Sequence, residues 1–200
     1  MSPVREHMLG LTTRPSIYLR LTHRAFRGVH DRMLADVAAA DLPAGSRILD
    51  IGTGPGHVPL RLEQMAPQLT IDGIDLSPEM IAFATESAQT AGREKTVRFI
   101  AGDAAHMPYN DDSFDVIVSS MSQHHWNDVP AILGDIRRVL KPAGRVWIYD
   151  ARFALRRTEQ TARDLFPSAV IRRVPVRTSR RLPRLFARLS IEPAQRRTVE

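Results

Sequence analysis

Ile48-Leu49-Asp50-Ile51-Gly52-Thr53-Gly54-Pro55-Gly56-His57 is an apolar run that ends in an acid and passes into three glycines at alternate positions. The run reads as a strand, and the glycines as a tight turn into a helix, the arrangement of a nucleotide-binding loop. The spacing narrows the ligand. A dinucleotide fingerprint asks for G-x-G-x-x-G, and here the third glycine comes one residue early. No Gly-Lys-Ser/Thr follows, so the loop is not a phosphate-cradling P-loop. Asp50 stands just before the first glycine, where it would repel a pyrophosphate. It suits a ligand with a cationic end, such as the ammonium of an amino acid. An ordinary tight turn is the competing reading, and the segments downstream decide against it.

Working outward, apolar residues at helical spacing (Val29, Met33, Leu34, Val37) predict a helix over about 26–40, broken by Pro43-Ala44-Gly45 before a first strand at 47–51. A helix follows the glycine loop over 58–65, with Pro59 tolerable in its first turn. A second strand is expected at 68–75. A helix follows to Ala91, with Ser77 as N-cap and Pro78 at its first position. Strands are expected at 97–101 and 114–119, the latter almost wholly apolar, as a buried parallel strand should be. Ile132, Leu133, Ile136, Val139 and Leu140 share one face of a helix over 129–140. Lys141-Pro142-Ala143-Gly144 reads as a turn into a strand over 145–150. Strands alternating with helices predict an α/β, doubly wound, mostly parallel sheet, whose ligands bind beyond the carboxyl ends of the strands.

The tail admits two readings. After a helix over 158–166, the alternation of Val170, Val174 and Val176, and of Leu185, Ala187, Leu189 and Ile191, predicts an antiparallel hairpin. The rival is a basic amphipathic helix with Leu182, Leu185, Phe186 and Leu189 on one side and Arg181, Arg184 and Arg188 mostly on the other. The hairpin is preferred.

The 200 residues allow one domain of ordinary size, 43% hydrophobic and 25% charged. No stretch approaches the roughly 20 apolar residues of a membrane span. The N-terminus has no apolar core of a secretory signal. The absence of cysteine excludes disulfides, thiolate zinc sites and cysteine nucleophiles, and fits a cytoplasmic enzyme. Charge is uneven. Residues 1–150 hold 15 Lys+Arg against 18 Asp+Glu, whereas residues 151–200 hold 13 Arg against 4 acids.

The pattern Asp50-x-Gly52-x-Gly54-x-Gly56 resembles the first motif of class I S-adenosylmethionine (SAM)-dependent methyltransferases, D/E-x-G-x-G-x-G. Asp75 ending the second strand, Ala101-Gly102-Asp103-Ala104 ending the third and Arg137-Arg138-Val139-Leu140-Lys141-Pro142-Ala143-Gly144 resemble later motifs of that family, in order. Together they cover about 45–150. Ala143 departs from the usual glycine of the last one. Ser122-Gln123-His124-His125-Trp126 is similar to a segment of its ubiquinone and menaquinone methyltransferases, often with a histidine pair.

The resemblance implies a Rossmann-like, seven-stranded methyltransferase fold with a C-terminal antiparallel hairpin. It implies SAM as cofactor, with S-adenosylhomocysteine as product. Asp50, Gly52, Thr53, Gly54 and Gly56 would lie by the methionine moiety, and Asp75 by the ribose hydroxyls. Leu76 and Met80 would follow on the same side, Asp103 and Ala104 by the adenine, and Ser119 at the exit of the fourth strand. Methyl transfer is an in-line displacement in which the protein chiefly aligns the reactants. His124, and after it His125, are the candidate catalytic groups, because a protonated acceptor needs a base; rim packing is their competing role. The histidines lack a third partner at metal-ligand spacing, so no metal is expected.

Residues 1–30 are expected to form a helical cap or lid, with Tyr18 and Arg14 or Arg20 within reach of the ligand, residues 31–195 the methyltransferase domain and 196–200 a tail. The acceptor is expected to be an O, N or C nucleophile of a small molecule. A nucleic acid or other anionic substrate is the alternative that the Arg-rich tail raises, weakened by its few aromatics: Phe153, Phe166 and Phe186. A non-catalytic SAM-binding accessory protein is a third reading. A homodimer is left open.

Overall fold

A computed structural model describes residues 15–178 and 185–194, with side chains from Phe26 onward. The chain runs α1 (Pro15–Ala38), β1 (Arg47–Ile51), α2 (His57–Met65), β2 (Thr70–Asp75), α3 (Pro78–Thr90), β3 (Val97–Ala101) and β4 (Phe114–Ser120). A 3₁₀ turn (Gln123–His125), α4 (Val129–Val139), β5 (Leu140–Ala151), α5 (Leu155–Leu165), β6 (Ala169–Val176) and β7 (Phe186–Pro193) complete it. The strands form one sheet of order β3-β2-β1-β4-β5-β7-β6. β1 to β5 are parallel; β7 is antiparallel to both β5 and β6. This is the seven-stranded, doubly wound arrangement with a C-terminal hairpin. The rival helix is ruled out over Phe186, Arg188 and Leu189, which lie in β7; Arg181, Leu182 and Arg184 lie outside the described residues.

The sheet is buried on both faces by the period-two alternation of its strands. Leu49, Ile117, Val146, Ile148 and Leu189 face α4 and α5, through Ile132, Leu133, Ile136, Leu155 and Ala162. Ile48, Ile71, Val116, Val118, Trp147 and Tyr149 face α1 and α2, through Val29, Met33, Leu34, Val37, Val58 and Leu62. α1 is tied down further by polar contacts that span the chain. Asp36 accepts from the Tyr149 hydroxyl at 2.7 Å and from Arg188 at 2.8 Å. The expected cap boundary at residue 30 falls inside this continuous helix, whose Val29 and Met33 join one core cluster. Tyr18, Arg14 and Arg20, expected near the ligand, have side chains outside the described residues.

One expected element is corrected. Lys141–Gly144 is not a turn that precedes the strand. β5 begins at Leu140, which faces Phe114, and the next pair is Val116 with Arg145. The residues between loop out as a bulge within the strand, the two-sided count mismatch that locally breaks a ladder. The irregularity also turns Phe114 to the face opposite Val116 and Val118. Lys141 spans the bulge and donates to both carboxylate oxygens of Asp115 at 2.8 Å. The caps are as expected: Ser77 accepts from the Met80 amide of α3. Among the described residues no helix is long and apolar enough to cross a membrane.

Candidate active site

In open α/β sheets the ligand crevice lies outside the carboxyl ends of the strands, where the strand order reverses. Here β1 is that switch point, with β2 on one side and β4 on the other. Along the carboxyl edge the loops present Asp103 after β3, Asp75 at the end of β2, Gly52 after β1, Ser122 and His125 after β4, and Asp150 in β5. A cavity of about 250 Å³ runs along this edge. Gly52, Asp75, Leu76, Asp103, Ala104 and His125 line it, joined by Ser122, Trp126 and Ile132.

The glycine loop is built by local conformation. Gly52, Gly54 and Gly56 all have left-handed φ, at +71°, +53° and +79°, which a side chain strongly disfavours. A Cβ on Gly52 would also strike the Ser122 side chain, so glycine lets the β4 exit loop close against the β1 loop. A Cβ on Gly54 would meet no atom within 4 Å and would project into open space. That is the cradle into which a ligand's own atoms fit. The Gly54 amide donates to Asp75 Oδ2 at 2.7 Å, and the Ser77 amide to Oδ1 at 2.9 Å. Each carboxylate oxygen keeps a second lone pair, enough for the two hydroxyls of a ribose.

Asp50 lies beneath the loop, 3% exposed, and accepts from the Thr53 hydroxyl at 2.8 Å. Burial pushes its carboxyl up to about 7; the Asp75 charge adds to the rise and the Thr53 hydrogen bond opposes it. A buried carboxylate in this state is stabilised by any cation brought beside it. The donor set therefore fits a ligand with an ammonium or sulfonium at one end and a ribose at the other.

On the β3 side, Asp103 Oδ1 accepts from the Ala105 amide at 2.9 Å, closing the turn that exposes its carboxylate. That loop is held from below. Arg138 on α4 donates to the carbonyls of Met107 and Tyr109 at 2.9 and 2.6 Å, and to Asp135 and Asp111. Arg138 thus anchors the loop after β3, a role its sequence position did not reveal. Asp115 and Asp111 serve the fold: Asp115 accepts from the Arg47 amide, and Asp111 pairs with Arg138 at the surface.

The β4 exit carries the histidine pair. Ser119 is buried and shares a hydrogen bond with Ser122, whose hydroxyl donates to the Ile51 carbonyl. The buried Gln123 Nε2 donates to Thr158 on α5 at 2.7 Å. The next residue, His124, sets its Nδ1 at 3.0 and 2.9 Å from the two oxygens of Asp150. The His124 amide also donates to Asp150 Oδ2, and the Ala151 amide to Oδ1. Asp150 is fully buried, while the His124 side chain is 34% exposed. The His125 ring lies 3.9 Å from that of His124. Burial, and then the facing His124, hold His125 below the ordinary histidine range, against the pull of Asp150 and Asp75.

Of the expected site residues, Gly52, Asp75, Leu76, Asp103, Ala104 and His125 stand on the cavity wall. Gly54, Gly56 and Thr53 build the loop, while Asp50, Met80 and Ser119 are buried behind the wall. His124 lies one ring beyond His125, on the β5 side. Sequence reasoning missed Asp150, although an acid at the carboxyl end of a parallel strand was a signal it had to hand. It also missed Trp126 and Ile132. No group of three or more His, Asp or Glu converges as a metal site among the described residues.

Fold and site together define an α/β domain that binds a nucleoside-type ligand with a cationic amino-acid end. A family model for a methyltransferase domain matches residues 42–185, and the chain belongs to that family, the class I SAM-dependent methyltransferases. It is similar to the uncharacterized methyltransferase YcgJ of Bacillus subtilis, 38% identical over 57% of this chain and 44% of the relative. It is also similar to the demethylmenaquinone methyltransferase of Thermus thermophilus, 35% identical over 60% of this chain and 52% of the relative. The chain thus spans about half the length of the curated relatives it matches. A SAM-dependent methyltransferase structure from Aquifex aeolicus shares the fold, with a TM-score of 0.73, 20% identity, and coverage of 90% of this chain and 99% of that one.

Proposed function

We propose that this domain transfers a methyl group from SAM to a small-molecule acceptor. The observation that carries the reading is the cradle at the switch point. Open space stands above Gly54, the Asp75 carboxylate is fixed by the amides of Gly54 and Ser77, and a buried Asp50 lies below. Asp75 would hold the ribose, the Asp103 turn and the exposed Leu76 the adenine, and Asp50 the cationic amino-acid end. SAM when bound supplies an activated methyl on a sulfonium. The chain's own part is to align the acceptor with it and exclude water. His124 and His125 stand on the β4 and β5 side of the cradle, where an acceptor would meet the methyl. A small acceptor accords with the kind of molecule that the Thermus relative's name specifies.

A polyanionic substrate is the second reading, favoured by exposed Arg152, Arg156, Arg157, Arg172 and Arg177 around α5 and β6. A homodimer, where it forms, avoids the free edge of β6, because Arg172, Arg173 and Pro175 oppose edge pairing. Calorimetry with S-adenosylhomocysteine tests the shared premise. One-site binding that Asp75→Ala removes is the expected result; no binding to the wild-type chain overturns the proposal. Tight RNA binding with a steep salt dependence would instead promote the second reading.

A further inference from the structure

We propose that the corner of the sheet where β5, β6 and β7 meet its carboxyl edge docks onto an anionic lipid surface. The inference goes beyond the methyl-transfer reading and does not depend on it. Phe153, just after β5, and Leu185, just before β7, are 77% and 56% exposed. Burying either side chain would be favourable, and the turn that leaves Phe153 in solvent buries Leu155, two residues on, completely. The backbone that carries the two exposed residues is anchored. The Arg152 amide donates to the Leu185 carbonyl at 2.9 Å, and Arg173 donates to the Arg152 carbonyl at 3.0 Å. The Ala154 amide closes the turn on the Ala151 carbonyl at 3.0 Å. Two large apolar side chains are thus held out at one corner of the molecule.

Arginines surround that corner. Arg152 follows β5 and Arg177 follows β6, and β7 runs between those strands, so Leu185 stands between the two. Arg156 and Arg157 lie in the first turn of α5, which starts from the same corner. All four are exposed, and among the described residues none has an ion-pair partner. The acids of these elements do not offset them. Glu159 is held by Arg163 and Arg173, and Asp150 is fully buried. Asp164 and Glu192 lie at the far ends of α5 and β7. A cationic rim around protruding apolar side chains is the pattern of an interfacial anchor. The arginines meet lipid phosphates while the apolar tips enter the boundary between headgroups and acyl chains. A nucleic acid would match the charge but not Leu185, which has no flat face on which a base can stack. The corner lies on the same edge of the sheet as the ligand crevice, so a docked molecule holds that edge towards the headgroups.

Cosedimentation of the chain with sucrose-loaded vesicles tests the proposal. The wild type is expected to pellet with phosphatidylcholine vesicles that contain phosphatidylglycerol and to stay in solution with phosphatidylcholine alone. Added salt should release it. Arg156→Gln with Arg157→Gln should weaken binding about fivefold for each charge lost, and so by more than about 10-fold together. Phe153→Ser with Leu185→Ser should weaken it by more than about 10-fold and leave the melting temperature unchanged, because both side chains are exposed. In Phe153→Trp, brominated lipid should quench fluorescence beyond any quenching of Trp126 and Trp147 in the wild type. Absence of binding to the phosphatidylglycerol vesicles overturns the proposal, as does a serine variant that binds them as the wild type does. So does a preference for RNA over the vesicles, or a dimer in solution that the serine variant abolishes, since either assigns the corner to another partner. The vesicle assay uses no cofactor. Its failure therefore leaves the methyl-transfer reading standing, and failure to bind S-adenosylhomocysteine leaves the docking surface standing.

Discussion

The two halves of the site are built in different ways. The cradle side, from β1 to β3, is made of short turns, Asp50 with Thr53, Asp75 with Ser77 and Asp103 with Ala105, joined by one backbone amide, that of Gly54, which reaches Asp75 21 residues on. The side around β4 and β5, where the acceptor is proposed to enter, is made of side chains that meet across long stretches of chain. His124 finds Asp150 26 residues on, and Gln123 finds Thr158 35 residues on. The same holds of the support behind β5, where Asp36 binds Tyr149 and Arg188. The lesson is that short turns and backbone amides can build a cradle, whereas a side-chain pair such as His124 and Asp150 is assembled only by tertiary contacts.

Mutations that separate the halves test this contrast. The largest effect is expected at the cradle. Gly54→Val puts a branched side chain at a left-handed φ and into the ligand's space. Calorimetry should show loss of S-adenosylhomocysteine binding by more than about 100-fold, with Gly54→Ala intermediate; undiminished binding would break the cradle assignment. On the acceptor side, His124→Ala should lower kcat by on the order of 10²–10⁴-fold and leave that same binding intact. Loss of both together would show that the halves are one unit.

Smaller effects bear on how each half is supported. Thr158→Val leaves the buried Gln123 amide without its partner, at a cost of about 1–3 kcal/mol. Thermal melts should register this at about 2–4 °C per kcal/mol, with kcat falling as His124 loses its anchor. Asp50→Asn should act in the opposite sense on the ligand-free protein. The folded pKa of Asp50 lies above its ordinary 3.8, at about 7. The folded form therefore holds a proton that the unfolded chain has released, and stability is lost as pH rises between those values. The asparagine variant is expected to melt above the wild type at pH 8 and with it near pH 4, while binding the cofactor poorly. A wild type whose melting temperature does not fall with pH across this range would count against the burial argument. The smallest effect is expected for Arg156→Glu with Arg157→Glu on α5. Turnover of a small acceptor should stay within about twofold, since exposed charges are screened; a large loss would favour the polyanionic substrate.

Much of the fold was legible because it rests on period and punctuation. The apolar runs at 47–51 and 114–119, the Ser77-Pro78 start and the alternation in the tail each predicted the element found. The Lys141–Gly144 bulge was not legible. Proline and glycine signal a turn locally, and only pairing with β4 shows that the strand has already begun at Leu140. The hairpin shows the same limit. Alternation predicted Val170, Val174 and Val176 on one face, and they share it. Yet Val174 remains 42% exposed because β6 is the edge strand, and only Val176 is sealed.

The sequence by itself determined the glycine loop, the acids that end β2 and β3 and the family they indicate, because glycine conformations and strand-end positions are local properties. Tertiary structure alone decided that His124 has a partner and that the partner is Asp150. Two side chains from different strands meet only when the sheet sets β4 beside β5, and only burial there turns an ordinary aspartate into a fixed acceptor for one imidazole nitrogen.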